Sequence, residues 1–317
     1  MRNQLSGWTA TVALVFLMLA IGGCGEPEQR YNVASGGIQG VYYQAAVGLS
    51  QQARAKGLTL EPQSTGGSVE NARLIGAGDA DFAIMQNDIA AYAMGGDAPM
   101  FTEPIENIRG VAALYPEHIQ VVARADAGID SIADLRGKRV GIGARGSGTE
   151  ANALQVLAAY GLSEEDLGRV ERLGAGDAAD YLQDDRLDAA FYTFGVGTGA
   201  IRNLAANADI RLIPIEGQPR EQLLQTYGFY REGVIPAGSY EGEVEADVPT
   251  VTVIATLVAR EDVPAEVVRT VLASMLDNLE TFSASAAALQ AVNREDAEAN
   301  LTLPMHEGAK AFYSSRQ

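Results

Sequence analysis

The chain has 317 residues, of which 47% are hydrophobic, with 35 glycines and 11 prolines, a composition typical of a globular protein of about two domains. Its formal net charge of −18 argues against nucleic acid as a partner, because phosphate binding needs clustered lysine and arginine. The single cysteine excludes an internal disulfide, so stability must come from the hydrophobic core.

The N-terminal segment has the layout of a secretory signal. Arg2 precedes an apolar run that ends in small residues, and Cys24 follows Ile-Gly-Gly, which resembles the lipobox of bacterial lipoproteins. We therefore expect a signal peptide over 1–23, a lipidated linker over 24–30 and periplasmic protein held to a bacterial membrane by lipid on Cys24. The alternative is an uncleaved anchor with an incidental cysteine. Both place the body of the protein outside the cytoplasm.

Beyond the linker, short β-rich runs alternate with longer amphipathic stretches. The runs RYNVAS, LTLEPQ and DFAIMQ are predicted strands, separated by the helical stretches VYYQAAVGLSQQARAKG and VENARLIGAG. The same alternation returns with RVGIGA, EANALQVLAAYG and DAADYLQDDRLDAAFYTFG. The pattern predicts βαβ units and a largely parallel sheet in each of two similar lobes.

Two extended β-rich runs, over 119–126 and 251–262, flank the second set of units. We interpret them as crossovers between the lobes. Lobe I then comprises residues 29–118 plus 251–317, and lobe II comprises residues 119–250. The expected fold class is α/β, with two lobes, two hinge crossovers and a cleft between the lobes.

A Gly-rich loop follows the predicted strand RVGIGA, with a G-x-G-x-x-G pattern that begins at Gly141. Its residues 146–149 can bind an anion through uncapped helix amides, or Ser147 or Thr149 can simply cap the helix. A dinucleotide would need an acidic residue about 20 positions later. The acids found there, 164–166, have the pattern of first-turn charges in a helix, which favours a smaller ligand.

Candidate ligand-binding residues follow from the rule that ligands bind outside the carboxyl ends of strands in open α/β sheets. They lie in the loops and helix starts that follow the predicted strands of both lobes. The candidates are Tyr43, Gly67, Ser68, Asn71, Gln86, Asp88, Arg145, Gly146, Ser147, Gly148, Thr149, Phe194 and Gly195.

Several of these candidates have a structural alternative. Ser68 and Asn71 can donate to a carboxylate or cap a helix, and Asp88 can bind a ligand amine or cap the following helix. Arg145 can pair with a carboxylate or remain solvated in its loop. Of the adjacent tyrosines, Tyr43 is assigned to the cleft.

Catalytic and metal chemistry find little support in the sequence. His118 and His306 are the only histidines and have no metal-binding spacing, so neither a metal nor a cofactor is expected. No G-x-S-x-G motif occurs, and the loop serines lack a base linked to them by a motif.

Five sequence blocks together resemble the solute receptors of TRAP transporters of the TAXI type. They are GGIQGVYYQAAVGLS, TGGSVENARLIGAGDADFAIMQND, DLRGKRVGIGARGSGTEANALQVLAAYGL, GVIPAGSY and LTLPMHEGAKAFY. The resemblance implies a periplasmic binding protein of type II-like form, which closes on a small solute and delivers it to a permease driven by an ion gradient. Arg145 departs from the family pattern, which usually has a proline there.

The leading hypothesis is a non-catalytic receptor for a small organic anion, either a dicarboxylate or a glutamate-like amino acid, that serves a TRAP-type permease. Two alternatives remain open. The first is a solute receptor of an ABC importer, and the second is a periplasmic hydrolase or transferase that depends on Ser147.

Overall fold

The computed structural model describes residues 29–38, 40–97, 100–240 and 244–315. The predicted signal peptide and Cys24 lie outside these residues. Within the described ranges, no helix is both long enough and apolar enough to cross a bilayer.

Strands and helices alternate along the described chain. The strands are β1 Arg30–Ala34, β2 Thr59–Gln63, β3 Phe82–Gln86, β4 Ile108–Arg124, β5 Arg139–Gly141, β6 Arg169–Glu171, β7 Ala189–Phe194, β8 Ile210–Ile213, β9 Arg231–Ile235 and β10 Val248–Arg260. The helices are α1 Val41–Arg54, α2 Ser68–Ala77, α3 Asn87–Gly95, α4 Gly148–Ala159, α5 Ala175–Gln183, α6 Gly199–Ala205, α7 Gly217–Thr226, α8 Ala265–Leu276, α9 Leu279–Ser283, α10 Arg294–Ala299 and α11 Glu307–Ser314.

All ten strands belong to one hydrogen-bonded sheet whose main path is β2-β1-β3-β10-β4-β7-β5-β6, with β8 on β4 and β9 on β10. At one end β1 lies parallel to β2 and β3, and at the other β5 lies parallel to β6 and β7. Each end therefore has the parallel arrangement that the repeated strand-helix pattern predicts.

The long strands β4 and β10 join the two parallel groups. They pair antiparallel from Ile108 opposite Arg260 to His118 opposite Thr252. Beyond that segment, β4 pairs with β7 and β8, while β10 pairs with β9. Because these strands run through both groups, they correspond to the predicted crossovers. Each strand begins earlier in the sequence than the crossover that was predicted for it. The lobe boundaries stay a prediction.

Each half of the molecule has hydrophobic clusters on both faces of its sheet. Around the first half, Leu49 of α1 and Leu272 of α8 share one cluster, and Ile75 and Ile89 of α2 and α3 share another. In the second half the corresponding clusters contain α4 and α5. Helices on both faces leave the carboxyl ends of the parallel strands free to form a cleft.

Candidate ligand-binding site

A cavity of about 950 Å³ lies where the carboxyl ends of the two parallel strand groups face each other. Lobe I lines it with the loop into α1, the Thr65–Ser68 turn, Gln86 and Glu117. Lobe II lines it with the loop into α4, helices α5 and α6 and the end of β7. Both halves therefore line one cleft of the size that holds a small ligand.

The described lining is acidic rather than basic. Glu117, Asp177 and Asp180 line the cavity, whereas none of the described lining residues is a lysine, arginine or histidine. Positive potential inside the cavity therefore comes from backbone amides at helix N termini.

Helix α4 presents such amides. Ser147 caps it by accepting a hydrogen bond from the Glu150 amide at 3.1 Å, and the Glu150 carboxylate accepts from the Gly146 amide at 2.8 Å. The amides of Gly148 and Thr149, both in the cavity wall, donate to no other described residue. These two donors can hold a carboxylate.

Gly148 lets the lobes approach each other closely. A Cβ atom built at this position would lie 1.3 Å from Gln86 Oε1, which is far inside van der Waals contact. A larger residue at position 148 would displace the Gln86 side chain of lobe I, which packs against the first turn of α4 and donates to Asn152.

The two Gly-rich loops bind each other in this structure. The Gly146 carbonyl of lobe II accepts hydrogen bonds from the Val69 and Glu70 amides of lobe I, at 3.2 and 3.4 Å. The Val69 and Glu70 amides of α2 are thus occupied by protein and cannot bind a solute in this arrangement. Gly67 and Ser68 do line the cavity, and Ser68 Oγ accepts from the Gln86 amide at 3.1 Å.

Asn71 has a structural role. It is fully buried and its amide donates to the carbonyls of Ser35 and Ile84, at 2.6 and 2.7 Å, while Thr65 donates to its oxygen at 2.7 Å. Asn71 does not line the cavity, because its hydrogen bonds fix α2 to the ends of β1 and β3.

Asp88, expected at the cleft, lies behind the wall of the cavity. It is fully buried, and its Oδ2 atom accepts a hydrogen bond of 2.7 Å from the Asn152 amide of α4. Asn152 also accepts from Gln86 at 3.1 Å and from Thr193 at 3.1 Å. Burial raises the pKa of Asp88 to about 6. Asp88 therefore joins the lobes through Asn152 rather than facing the solute.

The assignment of the adjacent tyrosines is reversed by the structure. Tyr42 lines the cavity and donates a hydrogen bond of 2.7 Å to Glu117 Oε2, whereas Tyr43 lines a shallow depression on the outer face of α1 with Arg54 and Pro62. Consecutive helical residues point about 100° apart, so only one of them can face the cavity. The packing of α1 on the sheet selects Tyr42.

The other candidates divide between the cavity and its surroundings. Phe194 lines the cavity as an aromatic wall. Arg145 is exposed and does not line it, and Gly195 packs against Ala288, which lies 2.4 Å from a Cβ built at Gly195. Gly146 acts through its carbonyl in the contact between loops.

Glu117 is the functional candidate that the sequence analysis missed. Its side chain is only 1% exposed, and desolvation by burial, with Asp88 adding repulsion, raises its pKa to about 8. The available signal was a single acid inside the apolar β run VAALYPEHIQVV. Buried carboxylates without a cationic partner cluster at functional sites.

Metal and histidine chemistry add nothing to the site. Burial lowers the pKa of His118 to about 4. Across the described ranges, no three His, Cys, Asp or Glu side chains form a cluster that could hold a metal ion.

Comparison with known families and structures agrees with this architecture. A model described as the NMT1-like family matches residues 33–315, so the chain belongs to that family. Similar solved structures include the periplasmic binding protein BugD, with 14% identity over 92% of this chain and 94% of that chain and a TM-score of 0.58. An ancestral arginine-binding protein bound to arginine shares 12% identity over 83% and 99%, with a TM-score of 0.52.

A protein from Bordetella bronchiseptica RB50 is similar as well, with 15% identity over 90% of this chain and 98% of that chain and a TM-score of 0.52. These likenesses confirm the predicted fold class, the two-lobed α/β fold of periplasmic binding proteins.

Proposed function

We propose that this member of the NMT1-like family is an extracytoplasmic receptor that captures a small organic solute between its lobes and delivers it to a membrane permease. The single observation that carries the proposal is the cavity of about 950 Å³ that residues of both lobes line. A solute in this cavity contacts the second lobe only when the lobes close. Solute binding therefore shifts the population toward the closed form.

The solute carries a carboxylate that binds the free amides of Gly148 and Thr149 at the start of α4. Each charge-assisted hydrogen bond contributes about 1.5–3 kcal/mol, and the helix field adds up to about 2 kcal/mol in a partly buried setting. Two or three such bonds, with apolar contact from Phe194, support micromolar binding after the cost of association is subtracted.

An amino acid fits the cavity better than a dicarboxylate. A second carboxylate would meet Asp177 and Asp180 of α5, and no described lining residue offers a lysine or arginine to balance it. Like charges within a desolvated cavity repel strongly. The cavity therefore complements a zwitterionic amino acid better than a dicarboxylate.

The permease partner has two candidates. The first is an ABC importer, which the comparison with solved binding proteins supports better than a TRAP-type permease. The second candidate is a TRAP-type permease, which is favoured by the blocks TGGSVEN and RGSGTEAN and their order in the sequence. Solute uptake into vesicles that contain either permease, with an ion gradient or with ATP as the only energy source, distinguishes the two.

Thermal denaturation with a panel of L-amino acids, C4 and C5 dicarboxylates and 2-oxoacids tests the receptor function. A bound solute at 100 times its Kd stabilises the folded state by about 2.7 kcal/mol, a readily measured rise in Tm. The absence of any shift across the panel would contradict the proposed solute class. Recovery of a chemically altered solute, with the change lost in Ser147→Ala, would instead support the hydrolase or transferase alternative.

A further inference from the structure

We infer that Glu117 is the residue that recognises a positively charged nitrogen of the solute, so the protein selects zwitterions over simple carboxylates. The inference rests on the proposed receptor function, because it assigns a partner to a group in the same cavity. The sequence allowed Asp88 to bind a ligand amine. The inference assigns this role instead to Glu117 of strand β4.

The position of Glu117 on β4 places its side chain in the wall of the cavity. Glu117 pairs with Val253 of β10 in regular register, and the register shift between these two strands lies three residues earlier, at Leu114. Glu117 lines the cavity although it is only 1% exposed. Its carboxylate is therefore buried but adjacent to the space that a solute would fill.

No cation balances the carboxylate of Glu117 in the described part of the protein. The groups that face it are Tyr42 from α1, Tyr115 from its own strand and Asp88 from α3, and none of these is basic. Its neighbour His118 is neutral at physiological pH, because burial holds its pKa near 4. A buried carboxylate in such surroundings is costly to ionise until a positive group arrives.

The hydrogen-bond network beside Glu117 also favours a donor from the solute. Tyr42 donates to Oε2 at 2.7 Å, and this bond stabilises the ionised form of the carboxylate. An ammonium supplies donors and no acceptors, whereas a second carboxylate supplies the opposite.

The cavity therefore contains groups of opposite polarity. The amides of Gly148 and Thr149 attract a negative group, and Glu117, which lines the same cavity, attracts a positive one. A zwitterionic amino acid supplies both groups. The alternative is structural. In it, Glu117 stays protonated and neutral and serves only to hold Tyr42 in place. The experiment must reject this alternative.

Isothermal titration of the full chain with matched pairs of ligands tests the inference. The pairs are L-glutamate with glutarate, L-leucine with 4-methylpentanoate and L-lysine with 6-aminohexanoate, so each acid lacks only the α-ammonium group of its partner. In the wild type we expect at least one amino acid to bind at least tenfold more tightly than its des-amino counterpart. In Glu117→Gln this preference falls by about 10- to 100-fold, the loss expected for one buried charge-assisted hydrogen bond.

A second measurement on the wild type does not depend on the folding of a variant. At pH 7 the free Glu117 is largely protonated, so an ammonium that pairs with its carboxylate expels a proton to solvent. Titration in two buffers of different ionisation enthalpy then shows release of close to one proton per bound amino acid. Glu117→Gln releases none, since its amide does not titrate.

Each outcome decides between defined alternatives. Equal affinity within every pair, an unchanged preference in Glu117→Gln or the absence of proton release would overturn the inference while leaving the receptor function intact. Failure of all six ligands to bind would overturn the proposed solute class and this inference with it.

Discussion

The side-chain amide of Asn152 in α4 donates a hydrogen bond of 2.7 Å to the carboxylate of Asp88 at the start of α3, and both residues are fully buried. Asn152 also donates to the Tyr230 hydroxyl at 2.9 Å. The bond to Asp88 crosses from one lobe to the other without any solute, whereas the bond to Tyr230 stays within lobe II. The Asn152–Asp88 bond therefore stabilises the observed approach of the lobes, and a bound solute adds to this stabilisation.

Replacement of Asn152 by alanine should favour the open form. The change leaves Asp88 buried without its donor, a cost of about 1–3 kcal/mol, so solute affinity should fall by about 5- to 150-fold. Titration of a binding amino acid, with small-angle scattering of the solute-free protein, measures both effects. Asn71→Ala is the matched control, since this equally buried asparagine bonds only within lobe I and should lower Tm without opening the lobes. Equal effects of both changes on affinity would contradict a role for Asn152 in closure.

Gly148→Ala should prevent full closure. The added methyl group would occupy the place of Gln86 Oε1, 1.3 Å away, so the Gln86 side chain must move and give up its bond to Asn152 of the other lobe. We expect at least a tenfold loss of affinity, measured by calorimetry. Gly228→Ala is the control, because no atom lies within 4 Å of a Cβ at that exposed position, and its affinity should match the wild type. Wild-type affinity in Gly148→Ala would show that the observed contact is not needed for binding.

The stability of the solute-free protein should depend on pH through Glu117. Its folded-state pKa of about 8 exceeds the ordinary 4.5, so the folded state binds the extra proton. The free energy of unfolding therefore falls as pH rises from about 4.5 to 8, by up to about 1.4 kcal/mol per pH unit from this group. Urea unfolding across this range should show the fall in the wild type and a flatter profile in Glu117→Gln. Parallel profiles would mean that Glu117 titrates normally.

Tyr42→Phe should weaken binding of an ammonium ligand by about 2- to 12-fold at pH 7, the worth of one hydrogen bond. The Tyr42 hydroxyl stabilises the ionised carboxylate and thereby lowers the pKa of Glu117, so its removal shifts the pH dependence of affinity upward. Tyr43→Phe is the matched change on the outer face of the same helix. If Tyr43→Phe has the larger effect on calorimetric affinity, the sequence-based assignment is restored.

The predicted lipid attachment is tested by Cys24→Ser. Serine carries no thiol, so the variant should appear in the soluble extracytoplasmic fraction, whereas the wild type should sediment with membranes. Mass spectrometry of the wild-type N terminus should detect an acylated Cys24. An unmodified N terminus that still contains residues 1–23 would favour the uncleaved anchor.

Local sequence patterns determined most of the secondary structure of this protein. The runs RYNVAS, LTLEPQ and DFAIMQ each became a strand within one residue of the expected bounds, because apolar β-branched and aromatic residues bounded by glycine and polar turns define strands locally. The start of α4 was equally local, since Ser147 caps the helix from within its own loop. These features supplied the α/β fold and located one wall of the cavity.

Only the tertiary structure decided which side chains face the solute. Tyr42 and Tyr43 are equivalent in sequence until α1 packs on the sheet, and Glu117 becomes a cavity residue only when β4 pairs with β10 inside the sheet. Asp88 turned away because its partner, Asn152, is 64 positions later in the chain. Contacts between segments so distant depend on the packing of whole lobes, which no local periodicity encodes.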